Sequence, residues 1–316
     1  MPLPSDEKVV ALANDLLAVF DTMFGVHPGF RPAHAKGLLL EGTFTPVPEA
    51  GGLTRAPHAN RPSTPVFVRF SNSTGLPALP DTDANANPRG MAIRFMLGER
   101  QHTDIISHSV DGFPTHTAGE FLEMLRAAGA SAGSTESPTP IMKFLGAHPA
   151  ALQFVQTPKP HPSSFARQSY FGVTAMQFTN ADGVSQFGRY RLVPVAGVDL
   201  LSDDKVAGLG ENFLSEEIQQ RLAAGPVAFD VLVQLADEGD VVDDATIHWP
   251  AERPVVTLGR VEITGVVADG AAQQQYMIFD PIPRVDGIEP SADPLLELRA
   301  AIYLISGRRR RAAEEQ

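Results

Sequence analysis

The chain has 316 residues, 43% hydrophobic and 20% charged, enough to bury a large core and within the range of ordinary globular proteins. Its 25 Lys and Arg against 37 Asp and Glu give a formal charge of -12, which repels phosphate backbones and anionic bilayers, so neither nucleic acid nor membrane is an expected partner. With no cysteine, disulfides, thiolate catalysis and thiolate metal ligands are excluded, leaving His, Asp, Glu and Tyr to hold any metal.

The N-terminal stretch MPLPSDEKVVALANDLLAVFDTMFG has apolar positions at helical spacing and no basic region ahead of them, so residues 1–27 read as an amphipathic helix rather than a signal peptide. No run approaches the roughly 20 apolar residues of a membrane span, and a soluble, cytoplasmic protein is expected. GLLLEGTFTP, TPVFVRFSNS, RGMAIRFML and HTDIISHS follow as short runs rich in β-branched and aromatic residues, bounded by Gly, Pro, Asn and Asp; these are strand signals. AGEFLEMLRAAGA has helical spacing, and SPTPIMKFLGAHPAALQFVQTP reads as one or two short helices broken by prolines.

YFGVTAMQFTNADGVSQFGRYRLVPV reads as a hairpin turning at NADG, where Asn and Asp-Gly tolerate positive φ. LSEEIQQRLAAG is a helix closed by Gly225, with Ser215 as its N-cap and Glu217 or Gln219 in the first turn. VAFDVLVQLAD and PVVTLGRVEITGV alternate as strands, and DPLLELRAAIYLISGRRRR is a closing amphipathic helix. The fold class is α+β, with an antiparallel sheet large enough to curl into a barrel. No Pro/Gly-rich linker divides the chain, so one domain over residues 1–316 is expected.

Phosphate-binding glycine loops, nucleophile elbows and zinc-protease helices are missing from the sequence. His102, His108 and His116 lack the spacing of a metal motif and read as surface or pocket histidines. VFVRFS and RGMAIRF each set an arginine, Arg69 and Arg94, inside an apolar run, where burial is costly without an anionic partner; a protein Asp and a cofactor carboxylate both qualify. Arg308 to Arg311 form either a solvated tail or a clamp for an anion. Arg299 and Tyr303 stand four residues apart on one helix face, as an ordinary surface pair or as a phenolate held ionised by a cation and able to ligate ferric iron. His34 in RPAHAKG is either a polar residue at a strand entrance or a chemical group.

Taken in order, RPAHAKG, PVFVRFSNSTG, NPRGMAIRF, TDIISHS, FTNADG, WPAERP with VTLGRVEITGV, and IFDPIPRVDGIEPSADPLLELRAAIY resemble the haem catalases, and most closely the small catalase-related peroxidases. The likeness runs from about residue 28 to about residue 310. It implies a catalase-like antiparallel β-barrel with surrounding helices, a core over 28–310 and one haem b with its iron. His34 matches the distal histidine, Ser71 the serine that orients it, and Tyr303 the phenolate ligand of the iron, kept charged by Arg299. Arg31 and Arg69 match partners of the haem propionates, with Arg310 as a further one. Phe121 matches the ring that stacks near the haem face, and Phe113 and Phe279 match pocket-lining aromatics.

His108 departs from the pattern, standing where catalases carry a distal asparagine. Fast dismutation is therefore not implied. The resemblance points to a peroxidase that takes hydrogen peroxide or an organic hydroperoxide and a small organic electron donor, with weak or no catalase activity. A hydroperoxide isomerase of the allene-oxide-synthase kind and a non-catalytic haem-binding protein remain as alternatives. The matching stretches leave out the long N-terminal arm and C-terminal region of full-length catalases, which implies wider access to the haem and an assembly no larger than a homodimer.

Overall fold

The computed structural model describes residues 2–313. Helix α1 (Glu7–Phe24) starts where the Asp6 carboxylate accepts from the Lys8 amide at 2.8 Å, and it stops at Gly25, whose φ of +78° takes the chain out of helical geometry. Strands β1 (Gly37–Pro46), β2 (Thr64–Ser71), β3 (Gly90–Gly98) and β4 (Gln101–His108) form an antiparallel meander at the places their residue patterns indicate, with the short α2 (Ala50–Leu53) after β1. Then come α3 (Ala118–Ser131), α4 (Pro140–Ala147) and α5 (Pro149–Gln156), with Pro149 separating the last two. A capping box at Thr117 and Glu120 starts α3.

Next in the chain are β5 (Tyr170–Phe171), β6 (Met176–Thr179), β7 (Ser185–Pro194), α6 (Asp203–Val206), α7 (Phe213–Ala224), β8 (Val227–Leu235), β9 (Val255–Val266), α8 (Gly270–Tyr276), β10 (Ile288–Pro290) and α9 (Pro294–Ala312). The NADG turn is as expected: the Asn180 side chain accepts from the amides of Asp182 and Val184, and Gly183 has φ +80°. Tyr170 and Phe171, however, form a strand of their own against the far end of β7, so the hairpin proper is β6–β7. Helix α7 begins earlier than Ser215. Its N-cap is Asn212, because the buried Asp81 carboxylate accepts from the Leu214 amide at 3.0 Å and does from a distance what a local cap would do. Glu217 pairs with Arg221 one turn on.

The ten-stranded sheet closes when β7 pairs with β8, giving a ring that runs β1-β2-β3-β4-β5-β7-β8-β9 and back to β1. Val66, Val68 and Phe70 of β2 and Ile93 and Phe95 of β3 point into the barrel, where Phe70 stacks on Phe165 at 5.0 Å. The alternate residues of the same strands face outward. Outside the barrel, Ala13, Leu16 and Leu17 of α1 pack on Leu298, Ala301 and Ile302 of α9 together with Ala118 and Leu122 of α3. Among the described residues no helix is long and apolar enough to cross a membrane.

Since Leu16 is fully buried between α1 and α9, Leu16→Ala is expected to destabilise the protein by about 2–5 kcal/mol through lost burial and a residual cavity. A urea denaturation curve with an unchanged midpoint would show that α1 is not part of the cooperative core.

Candidate active site

Ser71, Gly90 and His108 are direct partners across β2, β3 and β4, and Gly37 of β1 continues the row. Strands lie about 4.8 Å apart, so these residues form a straight line over one outer face of the barrel. The second row, Arg69, Ala92 and Ile106, follows from the same period-two parity. The face is covered by α1, α9 and the segment after α8. Between them lies a cavity of about 230 Å³ with mainly hydrocarbon walls.

All the residues named from the sequence as site candidates line this cavity: His34, Ser71, His108, Arg31, Arg69, Phe113, Phe121, Phe279, Arg299, Tyr303 and Arg310. His34 reaches it from the loop before β1, with φ +57°, an uncommon backbone conformation for a histidine. That backbone is pinned by His34 N donating to Ser73 O at 2.8 Å and by Arg69 Nη2 donating to His34 O at 2.8 Å. The ring Nδ1 lies 3.1 Å from Ser71 Oγ. Gly90 makes this possible, because a Cβ there would come within 2.6 Å of Ser71 Oγ and 3.0 Å of His34 Nδ1. Gly37 does the same for Arg69, whose Nη2 would lie 2.4 Å from an added Cβ.

Burial, reinforced by the Arg69 charge, pushes the His34 pKa down to about 4. His108 is pushed down to about 3 by burial and by the neighbouring His34 and Arg299. Both rings are therefore neutral at pH 7. The Val110 amide donates to His108 Nδ1 at 3.3 Å, which leaves the ring proton on Nε2 and makes that atom a donor. His102 and His116 go elsewhere, to 3.8 Å from the Asp104 carboxylate and 3.6 Å from that of Asp244.

Three arginines meet at one end of the cavity. Arg31 Nη2 and Arg310 Nη2 each donate to the Met277 carbonyl at 2.9 Å; Arg310 also donates to Ser306 Oγ and Gln275 O, and Arg69 Nε donates to Gln274 Oε1 at 2.6 Å. Among the described residues none of the three pairs with a carboxylate, whereas the nearby Arg94 is held by Asp104 at 2.7 Å and stacks on Phe279. Burial, with the Arg310 charge beside it, lowers the pKa of Arg69 to about 9; burial, with Arg311 beside it, lowers that of Arg310 to about 10; and burial with the charges of Arg69 and Arg310 moves Arg31 down as well. On α9, Arg299 Nε donates to Tyr303 Oη at 3.4 Å.

This arrangement fits haem: unanswered cations for two propionates, a phenol beside a guanidinium for the iron, and apolar walls that include Phe113 and Phe121 with ring centres 5.1 Å apart. Gly37, Gly90, Gln274, Met277 and Ser306 also build the site but carry no sequence signal. Phe20 of α1, also in the wall, is visible only as one of that helix's apolar positions.

A family profile described as Catalase matches residues 29–316. The chain is 36% identical over 285 residues to the catalase-related peroxidase of Mycolicibacterium paratuberculosis, covering 89% of this chain and 89% of that protein. It is 31% identical over 298 residues to the catalase-related peroxidase of Synechococcus elongatus, covering 93% and 87%. A crystal structure of a fungal catalase superposes with a TM-score of 0.78 at 20% identity, over 93% of this chain and 62% of that one, which shows a shared fold. Matches that run over nearly the whole sequence decide the matter: the chain belongs to the catalase family.

Proposed function

We propose that this protein is a haem b-dependent peroxidase that reduces hydrogen peroxide or an organic hydroperoxide and oxidises a small organic donor, the whole chain acting as one haem-binding unit. The observation that carries the reading is the convergence on one apolar cavity of three arginines without carboxylate partners among the described residues, two of them buried and Arg31 half-buried, with the Arg299–Tyr303 pair and the His34–Ser71 pair. Peroxide-reducing oxidoreductase activity is what the relatives named catalase-related peroxidase support. Arg31, Arg69 and Arg310 would hold the propionates and Tyr303 the iron. The bound group supplies an iron centre that takes two oxidising equivalents from peroxide and passes them to the donor.

The chain's own residues handle protons and charge. His34 is neutral at working pH, and its Nδ1 is engaged by Ser71, so Nε2 is the atom that takes a proton from one peroxide oxygen and returns it to the other, which leaves as water or an alcohol. His108 has the opposite disposition. With Nδ1 committed to the Val110 amide, it acts as a hydrogen-bond donor to bound peroxide and not as a second base. The Arg299 guanidinium donates to the Tyr303 oxygen and holds it in place for the iron. Phe113, Phe121, Ile302 and Leu295 exclude water from the rest of the wall.

His34→Ala is expected to retain haem and lose about 10²–10⁴-fold in the rate of reaction with peroxide, followed by stopped-flow absorbance. In the unaltered protein that rate should hold from pH 8 to about pH 5 and fall below it, because His34 gains its proton only as pH approaches about 4. An acid limb centred near 6.5 would show that burial does not hold this ring neutral. Tyr303→Phe should leave a folded protein whose haem is lost on desalting; full retention would remove Tyr303 as the ligand. His108→Asn should raise oxygen evolution relative to oxidation of a phenol donor, and an unchanged ratio would contradict the role given to His108.

A further inference from the structure

His58 takes no part in this chemistry. It lies in the turn between α2 and β2, is 1% exposed and packs against Phe44 and Phe95, with ring centroids 5.9 and 4.5 Å away. Its Nδ1 is buried and meets no donor or acceptor of the protein among the described residues. A leucine would fill such apolar surroundings without an unanswered polar atom, so packing alone does not account for an imidazole. Burial keeps the ring neutral, with its pKa down at about 4, so it presents one donor nitrogen and one acceptor.

A second cavity adjoins this ring. It measures about 20 Å³, above the roughly 10–15 Å³ that admits a water molecule. His58, Thr103, Thr174 and Arg299 bring polar groups to its wall. Arg299, Thr174 and Ile106 line both this cavity and the larger one, so the Arg299 side chain stands in the partition between them. Among the described residues the guanidinium makes one hydrogen bond, the long contact from Nε to Tyr303 Oη at 3.4 Å. A planar group with five donors, held at one edge by one long bond, needs a second anchor to keep that edge on the phenol.

We infer that an ordered water in the second cavity joins the His58 imidazole to the Arg299 guanidinium, and that His58 is thereby a positioning residue for the Arg299–Tyr303 pair. The inference rests on Tyr303 being the haem ligand. His58 touches neither substrate nor haem; it acts through the water on the direction of Arg299, and through Arg299 on the hydrogen bond that the phenol oxygen accepts.

The test begins with a crystal structure of the haem-loaded protein at a resolution that shows solvent. A density peak within hydrogen-bonding reach of both the imidazole and the guanidinium is expected; continuous side-chain packing there, without a peak, overturns the inference. The second arm compares His58→Leu with His58→Gln by haem transfer to apomyoglobin and by resonance Raman scattering from the phenolate–iron bond. His58→Leu should release haem about tenfold faster and shift the phenolate–iron band, the effect of losing one water-mediated hydrogen bond, while His58→Gln, whose amide can hold the same water, stays within about threefold. Haem release and a Raman band in His58→Leu that match the unaltered protein overturn the inference, and an equal or higher melting temperature alone would mark a residue that only fills space. Should His58→Leu fail to fold, the solvent density still decides. If Tyr303→Phe keeps its haem, the ligand reading itself has failed; if Tyr303→Phe loses haem and His58→Leu does not, only the role of His58 has failed.

Discussion

Arg31 and Arg310 donate to the same carbonyl, that of Met277, and Arg69 stands near enough that its charge and that of Arg310 lower the proton affinity of Arg31. Backbone and amide oxygens offset part of the cost of holding such charges away from water, but they carry dipoles and no net charge. What the cluster lacks within the described chain is an anion. A ligand with two carboxylates and a large apolar body satisfies both the charge and the walls, and the surrounding architecture follows from that need. The segment after α8 supplies the carbonyls of Gln275 and Met277, α9 supplies Arg310 and Tyr303, and α1 closes the side through Phe20 while locking α9 in place through Leu16 and Leu17.

On the other wall the constraint is sheet parity. Since alternate residues of a strand face opposite sides, the barrel interior takes Val68, Phe70, Ile93 and Phe95, and the cavity takes Arg69, Ser71, Gly90 and His108. One row across β2, β3 and β4 thus places Ser71, which holds His34, and His108 on either side of a glycine. The bare Cα of Gly90 is what allows the His34 ring to lie over the sheet. The division of acid–base duties proposed for the two histidines rests on their nitrogens having different neighbours: a hydroxyl for His34 and a backbone amide for His108.

Much of this was legible in the residues. β1 to β4 lie where their apolar runs lie, Arg69 stands out as a charge in an apolar strand, and the four-residue spacing of Arg299 and Tyr303 suffices to place them on one helix face. His34 was different, because a lone histidine at a strand entrance has no local signature and only the run of catalase-like stretches gave it a role. Three features needed the folded chain. The Ser215 cap lost to a carboxylate 133 residues away, at Asp81, because tertiary acceptors are invisible to local patterns. The carbonyls of Gln275 and Met277 attract arginines as backbone, which no side-chain motif encodes. His58 is ordinary in sequence and unusual only in that its ring is buried without a protein partner for Nδ1, on the wall that Arg299 shares.

The proposed binding of one haem in this cavity, through Tyr303 and three arginines, has an optical readout. Optical titration of the purified, haem-free protein tests it most directly, with the bound pigment identified as its pyridine complex. A saturable Soret band that survives desalting is expected, with an endpoint of one haem b per chain and the ferric spectrum of phenolate ligation. A titration that only adds the spectrum of free haem, with nothing retained after desalting, would contradict it.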